Sequence, residues 1–216
     1  MTAVKICGIT RPEDAAAAVE YGASYIGFVL WPNSPRAATL HIVSRIAPAL
    51  PDHVTPVGVF VNPSIDDISA AADAGIKAAQ VHAVAAGVSL KGARVPIIPA
   101  VHLSWNGIEP DVDDELILLD AHDPVKHGGT GKKVDWVRAA VVAQSRRVIL
   151  AGGLTPDNVA EAIQTVQPFA VDVASGVEAA PGVKDPMKLK LFIANALGAQ
   201  GTLGTQGTKD GHAGTL

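Results

Sequence analysis

A chain of 216 residues is long enough for one substantial core of alternating strands and helices, so a single domain plus a tail is expected. The formal charge is −4, with 17 basic and 21 acidic side chains interspersed and only four Phe, three Trp and two Tyr; this offers neither a basic stripe nor a stacking platform and excludes nucleic acid as a partner. No apolar run approaches the roughly 18 residues of a membrane span, and Met1-Thr2-Ala3-Val4-Lys5 lacks the regions of a signal peptide. A soluble cytoplasmic protein with no membrane partner is expected, in a compartment that suits the lone thiol Cys7.

In chain order, short β-branched runs alternate with amphipathic stretches that open on capping residues. The strands fall at Val4 to Cys7, Tyr25 to Val29, Val57 to Val61, Ala79 to His82, Ile97 to Val101, Leu116 to Asp120, Val148 to Ala151 and Val171 to Ala174. Helix starts are marked by Pro12-Glu13-Asp14, Thr39 before His41 to Leu50, Ser64, Asp135, Thr155-Pro156-Asp157-Asn158 and Asp185-Pro186. Leu103 to Asp114 holds Asn106-Gly107 and Pro110 with little apolar periodicity, and Ala83 to Lys91 is as brief. The helices after the fourth and fifth strands are therefore expected to be short or missing. An open doubly wound sheet uses the same alternation. Eight is the strand number that closes a (β/α)8 TIM barrel, and no dinucleotide glycine pattern follows the first strand, so an α/β barrel over residues 1–197 is favoured. The Gly/Thr-rich segment 198–216 is expected to be a disordered tail.

Chemistry in such barrels gathers at the C-terminal ends of the strands. There stand Cys7, Phe28-Val29, Val61-Asn62, His82, Val101-His102, Asp120, Gly152-Gly153 and Ser175-Gly176. Cys7 reads either as a small buried hydrophobe or as a working thiol turned out by Gly8. Asp120 closes the apolar run Leu116 to Leu119 and reads as a cap or as an acid at the mouth. Glycines at both Gly152-Gly153 and Ser175-Gly176 are ordinary turn residues singly, but as a pair they let backbone amides approach an anion. Arg36, between Pro35 and Ala37, reads as a solvated arginine or as a clamp for a carboxylate.

The remaining motifs are weaker. Gly128 to Lys133 misses a nucleotide phosphate loop, because Lys126 and Lys133 occupy key positions, and reads as a surface loop or one that closes beside Asp120. The histidines have no zinc spacing, so no metal is expected, and His82 alone is singled out for a substrate contact. No serine sits in a Gly-x-Ser-x-Gly setting. Lys5 and Asp172 share inward faces with Cys7 and Ala174 on strands that neighbour each other in a closed barrel, so the two charges are expected to pair inside it.

Taken together, Val4-Lys5-Ile6-Cys7-Gly8-Ile9-Thr10-Arg11, Asn33-Ser34-Pro35-Arg36, Val57 to Asn62, Gln80-Val81-His82, Leu118-Leu119-Asp120, Gly128 to Lys132, Asp135-Trp136, Ala151 to Leu154, Asn158-Val159, Val171 to Val173, Ser175 to Glu178 and Pro181 to Asp185 resemble the phosphoribosylanthranilate isomerase family of tryptophan biosynthesis. The resemblance runs from residue 4 to about 196. It implies a single eightfold barrel and an Amadori rearrangement of a phosphosugar substrate, by a monomer or homodimer. It further implies Asp120 as general acid, Cys7 as general base, Arg36 on the anthranilate carboxylate, and amides around Gly153 and Ser175-Gly176 on the phosphate. The cationic iminium formed on ring opening is itself the electron sink, so no cofactor is expected.

Departures from the family pattern occur at Ala83, which follows His82 where glycine is usual, at Pro99, at Lys133-Val134 and at Ala174. Two other readings stand beside this one. A histidine-pathway aminoaldose isomerase would use the same chemistry with two aspartates, which Cys7 disfavours, and a catalytically silent phosphate-ligand-binding barrel would need neither acid nor base.

Overall fold

The computed structural model describes residues 1–104, 107–109, 114–120 and 135–199. Eight parallel strands, β1 (Ala3–Cys7), β2 (Tyr25–Val29), β3 (Thr55–Phe60), β4 (Ala78–Val81), β5 (Ile97–Ser104), β6 (Leu116–Asp120), β7 (Arg147–Ala151) and β8 (Ala170–Val173), form the sheet. It closes on itself: β1 pairs with both β2 and β8, and β4 pairs with β5. This is the eight-stranded barrel that the alternation predicts.

Around it lie α1 (Pro12–Tyr21), α2 (Leu40–Ile46), α3 (Ile65–Asp73), α4 (Trp136–Ala143), α5 (Val159–Val166) and α6 (Pro186–Gly198). Four of these six start at capping side chains, whereas Arg11 before α1 and Asn158 before α5 make no such bond. Thr39 accepts the Ile42 N–H, Asp135 accepts that of Arg138, and Asp185 those of Met187 and Lys188. Ser64 and Asp67 complete a reciprocal capping box. Where α2 was expected to reach Leu50, it ends at Ile46 and tightens into a 3-10 turn, Ala47–Ala49, because Pro48 has no N–H to continue the ladder.

No helix follows β4 or β5 among the described residues. Instead β5 extends to Ser104 and pairs antiparallel with the short strand Gly107–Glu109. A second small hairpin, Glu178–Ala180 against Val183–Lys184, caps the barrel after β8 and was not anticipated. The Gly128 to Lys133 loop and the tail from residue 200 onward lie outside the described residues.

Strand parity divides the core in two. Val4, Ile6, Ile26, Phe28, Val101, Leu119, Leu150 and Val171 join the layer beneath the helices. Val57, Ala78, Ile98, Ala100, Leu118, Ile149, Ala151 and Ala170 fill the barrel interior. The interior is closed below by apolar side chains and turns polar towards the C-terminal ends of the strands. None of the described helices is long and apolar enough to cross a membrane.

Candidate active site

On β1 the outward Val4 and Ile6 turn Lys5 and Cys7 into the barrel; on β8 the outward Val171 and Val173 do the same for Asp172. Lys5 and Asp172 are register partners, and Nζ of Lys5 donates to Oδ1 of Asp172 at 2.9 Å with the lysine side chain 0% exposed. The pairing expected from alternation is present. It places a buried cation one inward position below the thiol.

Cys7 is buried, and its strand partner is Gly27. A Cβ at Gly27 would lie 3.0 Å from Sγ, so the glycine leaves room for the sulfur. Burial pushes the Cys7 thiol above its ordinary value; the positive charges of Lys5 and Lys184 oppose that, while Asp172 adds to it. The net direction keeps a proton on sulfur near neutral pH. Native Cys7 is therefore expected to alkylate with iodoacetamide more slowly at pH 7.5 than a free thiol, with a midpoint above the ordinary thiol range in a pH series. A midpoint at or below that range would contradict the burial argument. By linkage the raised value favours the fold most fully below the unfolded thiol pKa, and this contribution is lost as pH rises through the folded one.

Asp120 ends β6 with its side chain half-buried, and β7 and β8 separate it from Cys7 around the barrel. Those two intervening strands carry the glycine loops, so the acid and base candidates flank the anion-site candidates. The sequence marks His102 as a strand end but does not reveal that it is the register partner of Asp120 on β5. His82 follows β4 and lies with Nε2 2.8 Å from Nε2 of Gln80. Burial first, and the Lys5 ammonium second, pull the His82 imidazole below its usual range, so it faces the mouth as a neutral ring at pH 7.

At the end of β7, Gly152 and Gly153 adopt φ of 95° and 64°, a conformation that L side chains rarely take. Asn158 locks this turn: its Oδ1 accepts the Thr155 N–H at 2.8 Å and its Nδ2 donates to the Gly153 carbonyl at 3.0 Å. Beyond β8 the chain enters a 3-10 turn, Ser175–Val177. Among the described residues, the turn, loop and cap hydrogen bonds include none donated by the N–H of Gly153, Ser175 or Gly176. With Gly153 and Ser175 exposed at the mouth, these amides suit an anion.

The two loops also touch. A Cβ at Gly176 would run into the Leu154 carbonyl oxygen, a backbone atom that cannot swing away. Gly176→Ala is expected to cost about 1–3 kcal/mol of stability in a denaturant titration and to raise KM for a phosphorylated substrate. Unchanged values of both would show that the loops are not packed as described.

Arg36 is not a solvated surface residue. Its guanidinium grips Glu178, Nε to Oε1 at 2.9 Å and Nη2 to Oε2 at 2.7 Å, with its side chain 24% exposed. It crosses Gly8, where φ is +73° and a Cβ would lie 2.9 Å from Arg36 Cδ. Glu178 in turn accepts from Lys184 Nζ at 3.0 Å, and Lys184 also donates to the Cys7 carbonyl at 2.6 Å. Both residues stand in stretches that carry the family resemblance, but sequence alone assigns them no role, because only the small hairpin after β8 brings them to the mouth.

The family model for N-(5'-phosphoribosyl)anthranilate isomerase matches residues 4–195. A relative of that name from Citrifermentans bemidjiense is 44% identical over 202 residues, which cover 91% of this chain and 97% of its own. Among solved structures, monomers generated from the dimeric phosphoribosylanthranilate isomerase of Thermotoga maritima superpose with a TM-score of 0.76 at 39% identity, covering 92% of this chain and 100% of theirs. A phosphoribosylanthranilate isomerase bound to reduced 1-(o-carboxyphenylamino)-1-deoxyribulose 5-phosphate gives 0.76 at 38% identity, with 92% and 100% covered. A barrel with a thiol and a carboxylate flanking two glycine loops, matched over nearly its whole described length, leads to one conclusion: this chain belongs to the N-(5'-phosphoribosyl)anthranilate isomerase family.

Proposed function

We propose that the chain converts N-(5-phosphoribosyl)anthranilate to 1-(o-carboxyphenylamino)-1-deoxyribulose 5-phosphate, the Amadori step of tryptophan biosynthesis, with Asp120 as general acid and Cys7 as general base. The observation that carries this reading is the disposition of Cys7 and Asp120 on inward strand ends to either side of the Gly152-Gly153 and Ser175-Gly176 loops. A phosphate on those amides suspends the ribose between the two groups. Arg36, on the loop after β2, is suited to the anthranilate carboxylate, and the two anchors turn a flexible substrate into a near-attack geometry.

Opening the furanose requires a proton on the ring oxygen as its bond to the anomeric carbon breaks, and Asp120 supplies it. The product is an iminium at the arylamine nitrogen, conjugated to the aryl ring. The neighbouring C2 proton is then acidic enough for the Cys7 thiolate to remove, giving an enolamine that tautomerises to the ketone. Lys5 beside the sulfur favours the thiolate against the burial that disfavours it. A neutral His82 is suited to donate or accept a hydrogen bond on the sugar without adding charge.

In this reading the catalytic domain runs past residue 197 to the end of α6, where Gly198 closes the helix and Ala199 packs in the core, and residues 200–216 are no part of it. The protein acts in the cytoplasm, as a monomer or homodimer, on a small phosphosugar and without nucleic acid. The test is turnover of freshly prepared N-(5-phosphoribosyl)anthranilate, followed by loss of its fluorescence. A folded protein that binds the reduced product but does not consume the substrate would instead support a silent binding barrel.

A further inference from the structure

We infer that Glu178, braced by Lys184, is a positioning residue that sets specificity for the aryl carboxylate by holding the Arg36 guanidinium with one edge open to the mouth. The inference rests on the proposed contact between Arg36 and that carboxylate.

An arginine on a loop samples many rotamers, and each one lost on binding weakens the complex. Here the plane of the guanidinium is fixed in advance. Nε of Arg36 lies 2.9 Å from Oε1 and 3.0 Å from Oε2 of Glu178, and Nη2 lies 2.7 Å from Oε2. This fork uses one edge of the group; Nη1 donates to no described residue, so the other edge remains for a ligand. The Glu178 side chain is only 5% exposed and takes a further N–H from Gly182 at 3.3 Å, which leaves it little freedom of its own.

A carboxylate that orients Arg36 also competes with the ligand for its charge, and Lys184 answers that problem. Its ammonium lies 3.0 Å from Oε1 of Glu178, so Arg36 (+1), Glu178 (−1) and Lys184 (+1) together carry +1. The receptor stays cationic after its orienting partner is counted. Lys184 Nζ also donates to the carbonyls of Cys7 at 2.6 Å and Ala174 at 3.1 Å. One lysine thus ties the carboxylate receptor to the strand that bears the proposed base.

The surrounding loops hold the arrangement. Asp14 accepts the Lys184 backbone N–H at 3.1 Å, and the Thr10 hydroxyl donates to the Gly182 carbonyl at 2.6 Å. The hairpin that supplies Glu178 and Lys184 is therefore clasped both to the loop after β1 and to the first turn of α1.

Two probes separate specificity from simple integrity of the fold. They are reduced 1-(o-carboxyphenylamino)-1-deoxyribulose 5-phosphate and its phenylamino counterpart lacking the carboxylate, titrated calorimetrically into the full chain. Glu178→Gln and Arg36→Met are each expected to weaken the carboxylated ligand by about tenfold or more and the other by less than about twofold. Glu178→Asp, which keeps the charge but withdraws the fork by one methylene, should fall between, and it carries the test if Glu178→Gln does not fold. Equal loss on both ligands, no loss, or tighter binding by the Glu178 variants would overturn the inference. If Arg36→Met fails to discriminate between the ligands, the underlying contact is wrong and the inference falls with it. Discrimination by Arg36→Met but not by the Glu178 variants would remove the role of Glu178 alone.

Discussion

Replacing Cys7 by Ala, or Asp120 by Asn, is expected to lower kcat on N-(5-phosphoribosyl)anthranilate by at least about a hundredfold, the usual cost of removing a positioned acid or base. The two losses have different origins. Asp120→Asn keeps the shape of the side chain but has no proton to give as the ring C–O bond breaks. Cys7→Ala leaves the iminium without a base at the sugar C2. In both variants the phosphate loops and Arg36 are untouched, so KM should move far less than kcat, which is the pattern of an interaction made only in the transition state. The pH profile adds a second check. Because burial holds the Cys7 proton above the ordinary thiol value, kcat/KM of the parent should climb with pH on the alkaline side of neutrality. That limb should vanish in Cys7→Ala. Retention of more than about one-tenth of kcat by either variant would remove that residue from its role.

The barrel was legible because its signals are local. Capping at Thr39, Ser64, Asp135 and Asp185 depends on side chains reaching N–H groups two or three residues away, and each of these helices starts where the cap says. Inward pairing of Lys5 with Asp172 needed only the period of two along a strand and the closure of the barrel. Two prolines show where local rules were overruled. Pro56 and Pro99 lie within central strands that propensity would have broken, yet Pro56 pairs with Ile26 and Pro99 with Val81.

The parts of the site that escaped were those built from distance. Glu178 and Lys184 are six residues apart in sequence, but their work is done on Arg36 and on the Cys7 carbonyl, each more than 140 residues away along the chain. His102 meets Asp120 only through the register of β5 with β6. Arg36 itself was visible on its proline-flanked loop, but nothing in the motif indicated that a carboxylate of the protein already holds two of its five N–H donors.

Lys5→Met is expected to destabilise the fold by about 3–5 kcal/mol, measured by denaturant titration, because it strands Asp172 in a barrel wall where its side chain is 9% exposed. Burial alone would pull the Lys5 ammonium down, but Asp172 and Cys7 outweigh it and the net shift is upward. A raised folded value means that the lysine's contribution is complete below the unfolded lysine pKa and is lost only as pH climbs through the folded one. The penalty of Lys5→Met should therefore be flat from about pH 6 to pH 9. Adding Asp172→Leu removes the stranded charge and should recover most of the stability, since a buried pair replaced by apolar groups of similar volume is often neutral. Activity should not return with it. The double variant still lacks the cation whose charge lowers the thiol, so Cys7 should alkylate with a midpoint higher than in the parent, and kcat should stay low although the barrel is intact. Recovery of both stability and kcat in the double variant would show that Lys5 serves the scaffold alone; recovery of stability without kcat assigns the buried pair a second task, in which the charge that closes the barrel also makes its cysteine a base.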